Sequence, residues 1–122
     1  MFLIFVGAGL GGVLRFWVSN ISYLLLGRQF PYGTLIVNIS GCFLMGLLFV
    51  ILLERFDNIG PQLRSFILIG ILGGYTTFSS FSIETLNLFE NGASLSAILN
   101  IFLNVILCIA VTWLGVIGGR QL

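Results

Sequence analysis

The stretch Gly73-Gly74-Tyr75-Thr76-Thr77-Phe78-Ser79-Ser80-Phe81-Ser82 decides how this chain is read. It lies inside a longer segment, Ser65 to Ile83, that carries no charge. A membrane helix needs about 20 mostly apolar residues, so the segment has the length of a span. Yet its second half is a poor helix former, with two glycines followed by β-branched threonines. Five hydroxyl side chains fall between Thr76 and Ser82. Broken helices at membrane depth occur where backbone is buried in protein or lines a cavity. Carbonyls freed at such a break can hold a cation, and the helix N-terminus that follows favours an anion. A plain Ser/Thr-rich kink is the bland alternative.

Outward from this run, the charges mark the remaining spans. Arg15 is the only charge before Arg28, and none occurs from Gln29 to Leu53. Glu54, Arg55, Asp57 and Arg64 cluster around Gly60-Pro61, a loop signature. Asn91 to Gly119 is again uncharged. The pattern predicts four transmembrane helices, at about 2–26, 33–53, 65–88 and 95–118, with a break in the third. They form a single transmembrane domain over residues 1–122. No basic n-region precedes the first apolar run, which argues against a cleavable signal peptide.

Composition narrows the chemistry. The chain is 58% hydrophobic and 7% charged, against about a quarter charged in soluble domains, which argues against a soluble enzyme. Histidine is absent, which removes His-based triads and His-ligated metals. The net charge of +1 leaves no basic footprint for nucleic acid. Cys42 and Cys108 lie inside spans without metal-ligand spacing and read as small buried hydrophobes. No nucleophile–base pair or phosphate loop appears, so the chain is read as a non-enzyme that handles ions.

With the N-terminus in the cytoplasm, Arg55, Arg64 and Arg120 lie inside and Arg15 and Arg28 outside. Such weak Lys/Arg asymmetry lets a chain insert both ways. This predicts dual topology and an antiparallel homodimer, with one fixed orientation as the alternative. Gly7/Gly11, Gly70/Gly74 and Gly115/Gly119 repeat at i, i+4, the spacing that lets helix backbones approach closely in lipid.

Polar groups inside a membrane are functional candidates. Arg15 costs about 2.5–3.5 kcal/mol at this depth on insertion scales. It either snorkels to an interface or draws anions into a vestibule. Asn38 offers two amide donors, with Thr34 one turn earlier on the same side; an interhelical hydrogen bond is the bland reading. Phe78 and Phe81 project from one face of a resumed helix, where ring edges attract an anion; the alternative is ordinary packing. Asn100, Asn104, Cys108 and Thr112 form a slowly winding stripe that either lines a hydrophilic path or bonds a neighbouring helix. Glu84 either pairs with an arginine or sits at a pore mouth.

At this point the chain resembles the Fluc fluoride channels, also called the CrcB family. The run Gly73–Ser82 is similar to their third-helix signature. Gly11-Gly12-Val13-Leu14-Arg15-Phe16 resembles their first-helix arginine motif. Pro31-Tyr32-Gly33-Thr34-Leu35-Ile36-Val37-Asn38, followed by Gly41, resembles their second-helix asparagine motif. The resemblance implies an antiparallel, dual-topology homodimer in a bacterial inner membrane. Two fluoride pathways run through it, each using both subunits. They passively export F⁻ trapped in the cytoplasm and so reduce its toxicity. By position, Phe78 and Phe81 are the pore phenylalanines, Asn38 the pore asparagine, and Ser79, Ser80 and Thr34 the polar track. Arg15 is the vestibule arginine. Gly73 and Thr76 supply carbonyls to a structural Na⁺ at the dimer interface. The fourth-helix stripe has no residue-by-residue counterpart.

Two other functions compete. A small multidrug-type exporter shares the size and dual topology, but proton coupling needs a titratable acid in the bundle. Only Glu84, near the end of the third span, qualifies. A non-transporting membrane subunit needs no continuous polar route at all.

Overall fold

The computed structural model describes the whole chain except residues 56, 57 and 59, so Asp57 of the charged loop lies outside the described residues. The described residues are helical almost throughout, and the chain is all-α. Helix α1 spans Phe2–Leu26 and α2 spans Tyr32–Arg55. Helix α3 covers 61–75, α4 is Phe78–Glu90, and α5 is Ser94–Gln121. Counting α3 and α4 as one span, four helices are long and apolar enough to cross a membrane.

The helices outrun the expected spans at their polar ends. The third span begins at Pro61, not 65, and reaches Glu90; the fourth runs from Ser94 to Gln121. Local backbone chemistry, not hydropathy, sets the limits of the third span. Pro61 occupies the first turn, where its missing N–H costs nothing. At the other end Gly92 takes φ 80° and its N–H bonds Phe89 O at 3.1 Å, closing α4. Gly27, at φ 88°, ends α1 in the same left-handed region. The winding also loosens to π-helical turns over Ile51–Arg55, Ser65–Leu72 and Leu103–Leu107, which nothing in the sequence signals.

Two glycine seams hold the bundle. A Cβ on Gly7 would sit 2.7 Å from Phe66 O, and one on Gly74 would sit 2.6 Å from Ala8 O, so α1 and α3 touch backbone to backbone. Helices α2 and α5 make a similar seam. There a Cβ on Gly115 would come within 2.8 Å of Leu47 N, and one on Gly46 would collide with Thr112 O. Gly7, Gly11, Gly70, Gly74 and Gly115 therefore serve the close approach expected of them, and Gly46 joins them. The α2–α5 pair also ends together. Arg55 Nη1 donates to Arg120 O at 2.8 Å, and Arg120 Nε lies 3.5 Å from Glu54 Oε1.

Val37, Val50, Ala97 and Asn100 are fully buried, while Phe5, Phe16, Trp17, Leu24, Ile109 and Trp113 are exposed. An apolar exterior around a partly polar interior is the arrangement a bilayer requires, because water is absent outside and polar groups must pair within.

Candidate functional site

The site grows from the interruption between α3 and α4. Thr76 and Thr77 have extended dihedrals (ψ 157° and 118°), with helix on either side. Helical hydrogen bonding lapses there, and side chains take over. The Asn38 amide grips Thr77 from both sides. Its Oδ1 accepts from Thr77 N–H at 2.9 Å, and its Nδ2 donates to Thr77 O at 3.0 Å. The Thr77 hydroxyl in turn caps α4 by accepting from Ser80 N–H at 3.1 Å, and it lies 3.2 Å from Ser79 Oγ.

From Asn38 the bonding continues through the core. Asn38 Nδ2 also donates to Asn104 Oδ1 at 3.0 Å. Asn104 Nδ2 donates to Asn100 Oδ1 at 2.9 Å and to Asn100 O at 3.0 Å. Asn100 Nδ2 donates to Thr85 Oγ1 at 2.9 Å, and Thr85 Oγ1 donates to Phe81 O at 2.7 Å. A single chain of buried polar groups thus runs from the interruption, through α2 and α5, back to the backbone of Phe81. Both halves of the polar stripe on α5 are explained by bonding to neighbours. Asn100 and Asn104 serve this relay, while the Thr112 hydroxyl bonds the carbonyls of Cys42 and Cys108.

Phe78 and Phe81 meet edge to face, with ring centroids 5.3 Å apart. Phe81 is buried at 7% exposure; Phe78, at 75%, stands outside the chain's own packing. With Asn38, Thr76, Thr77, Asn104, Cys42 and Cys108 they line a cavity of about 300 Å³. Its wall is mostly apolar, with two phenyl rings beside the polar side chains of two asparagines and two threonines.

Arg15, Thr34 and Ser80 do not share that cavity. They line a second one of about 400 Å³, with Ser19, Asn20, Tyr23 and Glu84. Thr34 and Asn38 are thus separated although they lie one helical turn apart. Asn38 is level with Thr77, at the interruption, and Thr34 is level with Ser80, one turn into α4. Ser79 and Gly73 are exposed and line neither cavity. Glu84 accepts from Tyr23 OH at 3.3 Å through Oε2, while its buried Oε1 has no hydrogen-bond partner. The Arg28 guanidinium stacks 4.8 Å over the Tyr23 ring, so Tyr23 stands between the acid and an arginine.

A cation, if held here, would rest on backbone oxygen. Among the described residues no group of three or more His, Cys, Asp or Glu side chains could hold one. The carbonyls of Gly73 and Thr76 fit that role. In an unbroken helix they would accept from Thr77 N–H and Ser80 N–H, four residues on. Those donors are diverted to Asn38 Oδ1 and Thr77 Oγ1.

A family model described as CrcB-like protein, Camphor Resistance (CrcB), matches residues 2–116. A Coxiella burnetii protein named fluoride-specific ion channel FluC is 62% identical over 120 residues, covering 98% of this chain and 97% of the relative. Proteins of the same name from Citrifermentans bemidjiense and Magnetococcus marinus are each 45% identical. They align with 100% and 94% of this chain, and with 97% and 93% of their own lengths. The match runs through all four spans and includes both cavities, and on that ground the chain belongs to the CrcB family.

Proposed function

We propose that this chain forms a passive, fluoride-selective ion channel that lets F⁻ leave the cytoplasm. The observation that carries the proposal is the near full-length identity to relatives named fluoride-specific ion channels. The geometry supplies a workable mechanism. Arg15 attracts the anion into the larger cavity, where Thr34 and Ser80 offer hydroxyl donors. The edges of Phe78 and Phe81 then replace water around the ion without a fixed charge, so binding stays weak enough for release. Both amide hydrogens of Asn38 are already engaged, with Thr77 O and Asn104 Oδ1. Asn38 therefore meets fluoride only by exchanging one of these bonds, and its standing role is to hold the interruption open.

The assembly we infer is an antiparallel homodimer with dual topology, in the inner membrane of a bacterium. The near-balanced arginines support it. So does the exposure of Phe78, which a second subunit would cover. In such a dimer the backbone carbonyls of Gly73 and Thr76 would hold Na⁺ as a structural ion. Its charge would offset the dipoles of those carbonyls.

A small multidrug-type exporter receives no support from the relatives' names. Its required acid, Glu84, is occupied on one oxygen by Tyr23. The test is efflux from liposomes holding the purified protein, with valinomycin and K⁺ dissipating the potential. Fluoride release without chloride release is expected. Silence from a folded dimer would overturn the proposal.

A further inference from the structure

Conduction as described uses no thiol, yet Cys42 and Cys108 both line the cavity of Asn38, Phe78 and Phe81. They come from the two helices of one glycine seam, α2 and α5. One atom ties their backbones together. The Thr112 hydroxyl lies 2.8 Å from Cys108 O and 3.2 Å from Cys42 O. The Gly46–Thr112 contact fixes this level of the seam, because any side chain at Gly46 would collide with Thr112 O. Each cysteine is half-buried and both line the same cavity, so the two residues are reachable from one space. The result is a dithiol on two rigid backbones in a mostly apolar wall.

Thiolate sulfur selects soft metals over hard ones. No third His, Cys, Asp or Glu among the described residues stands near enough to build a tetrahedral site. A pair without a third ligand suits metals content with two, such as Hg²⁺, Cu⁺ and Ag⁺. We propose that Cys42 and Cys108 form a two-thiolate site for soft, two-coordinate metal cations, and that its occupancy plugs the cavity beside Phe78 and Phe81. The plugging half rests on the channel function; the bridging half does not.

Neutral HgCl2 is a suitable probe, since an uncharged species enters an apolar cavity without the desolvation cost of an ion. Two S–H bonds and two Hg–Cl bonds break, and two Hg–S bonds form. Two HCl leave, and mercury stays in the +2 state.

The experiment uses the whole protein in liposomes, with metal counted by elemental analysis after gel filtration and fluoride efflux read in parallel. The wild type is expected to retain one mercury per chain through a wash with excess glutathione and to release it to a small dithiol. Fluoride efflux should fall to the protein-free leak and return with the dithiol. Cys42→Ser and Cys108→Ser, each compared with its own metal-free flux, should lose their mercury to glutathione alone. Two mercury atoms per wild-type chain, or equal loss to glutathione from wild type and single variants, would overturn the bridge. One retained mercury with undiminished efflux would overturn the plug. If the metal-free protein conducts no fluoride, the channel function and the plug fail together, and the metal count still decides the bridge.

Discussion

Replacing Asn38 by leucine tests the site most directly. The two side chains are close in volume, so the packing of α2 changes little, but three hydrogen bonds disappear. Two of them satisfy the N–H and C=O of Thr77, which is buried at 7% exposure. No helical partner replaces them, because Thr77 lies at the interruption. Leaving a buried polar group unsatisfied costs about 1–3 kcal/mol, so the two backbone groups together predict a loss of about 2–6 kcal/mol. The loss is local: Thr77 either draws in water or rotates toward helix. Denaturant unfolding in detergent should show the destabilisation, and fluoride efflux should fall with it. Asn38→Asp is a sharper companion. It keeps an acceptor for Thr77 N–H but turns a carboxylate toward Thr77 O and Asn104 Oδ1, adding anion repulsion to the lost donors. It should conduct less than the wild type. Wild-type stability together with wild-type efflux in Asn38→Leu would refute the claim that Asn38 holds the interruption.

Phe81→Ile should severely reduce fluoride efflux while gel filtration shows the same assembly as the wild type, since the ring contact with Phe78 is lost but little buried volume is; normal efflux would remove Phe81 from the pore. Gly7→Leu should loosen the α1–α3 seam, where even a Cβ would stand 2.7 Å from Phe66 O, and destabilise the fold by about 1–3 kcal/mol in the same unfolding assay. Two lysines added in the loop 58–62 should fix insertion in one orientation, read by cysteine labelling from each side. Activity that then survives without an oppositely oriented partner would refute the antiparallel assembly.

The fold was largely legible because its signals are one-dimensional. Uncharged runs separated by Gly27, by Gly60-Pro61 and by Asn91-Gly92 locate the spans without any knowledge of contacts. What they misplace is the polar ends. Pro61, Gln62 and Arg64 are helical because Pro61 suits a helix's first turn, and a hydropathy reading stops short of them. The glycine pairs likewise pointed to close seams, but not to which helix meets which. Gly46 went unnoticed because its partner in the seam is Gly115 of α5, and it has no glycine four residues away on its own helix.

The site was legible in its members and not in its wiring. Asn38, Thr77 and Asn104 each stand out as polar groups at membrane depth, yet their bonds span 39 and 66 residues of sequence. Spacing along one helix carries no information about such partners. That is why the sequence leaves Asn38 open between pore donor and interhelical hydrogen bond, whereas in the fold both donors are spent on other segments. The same ambiguity separates Thr34 from Asn38. One helical turn places them on one side of α2, but the opposing chain changes character within that turn, from extended backbone at Thr77 to capped helix at Ser80. The consequence is functional. An amide whose hydrogens are bound to Thr77 O and Asn104 Oδ1 can yield one to a passing anion only if the vacated acceptor finds another donor. Asn104 Oδ1 is the less costly bond to give up, since releasing it leaves the Asn38 grip on both backbone groups of Thr77 intact. Any fluoride contact with Asn38 therefore runs through the Asn38–Asn104 bond, which makes α5 a participant in the pathway and not merely its outer wall.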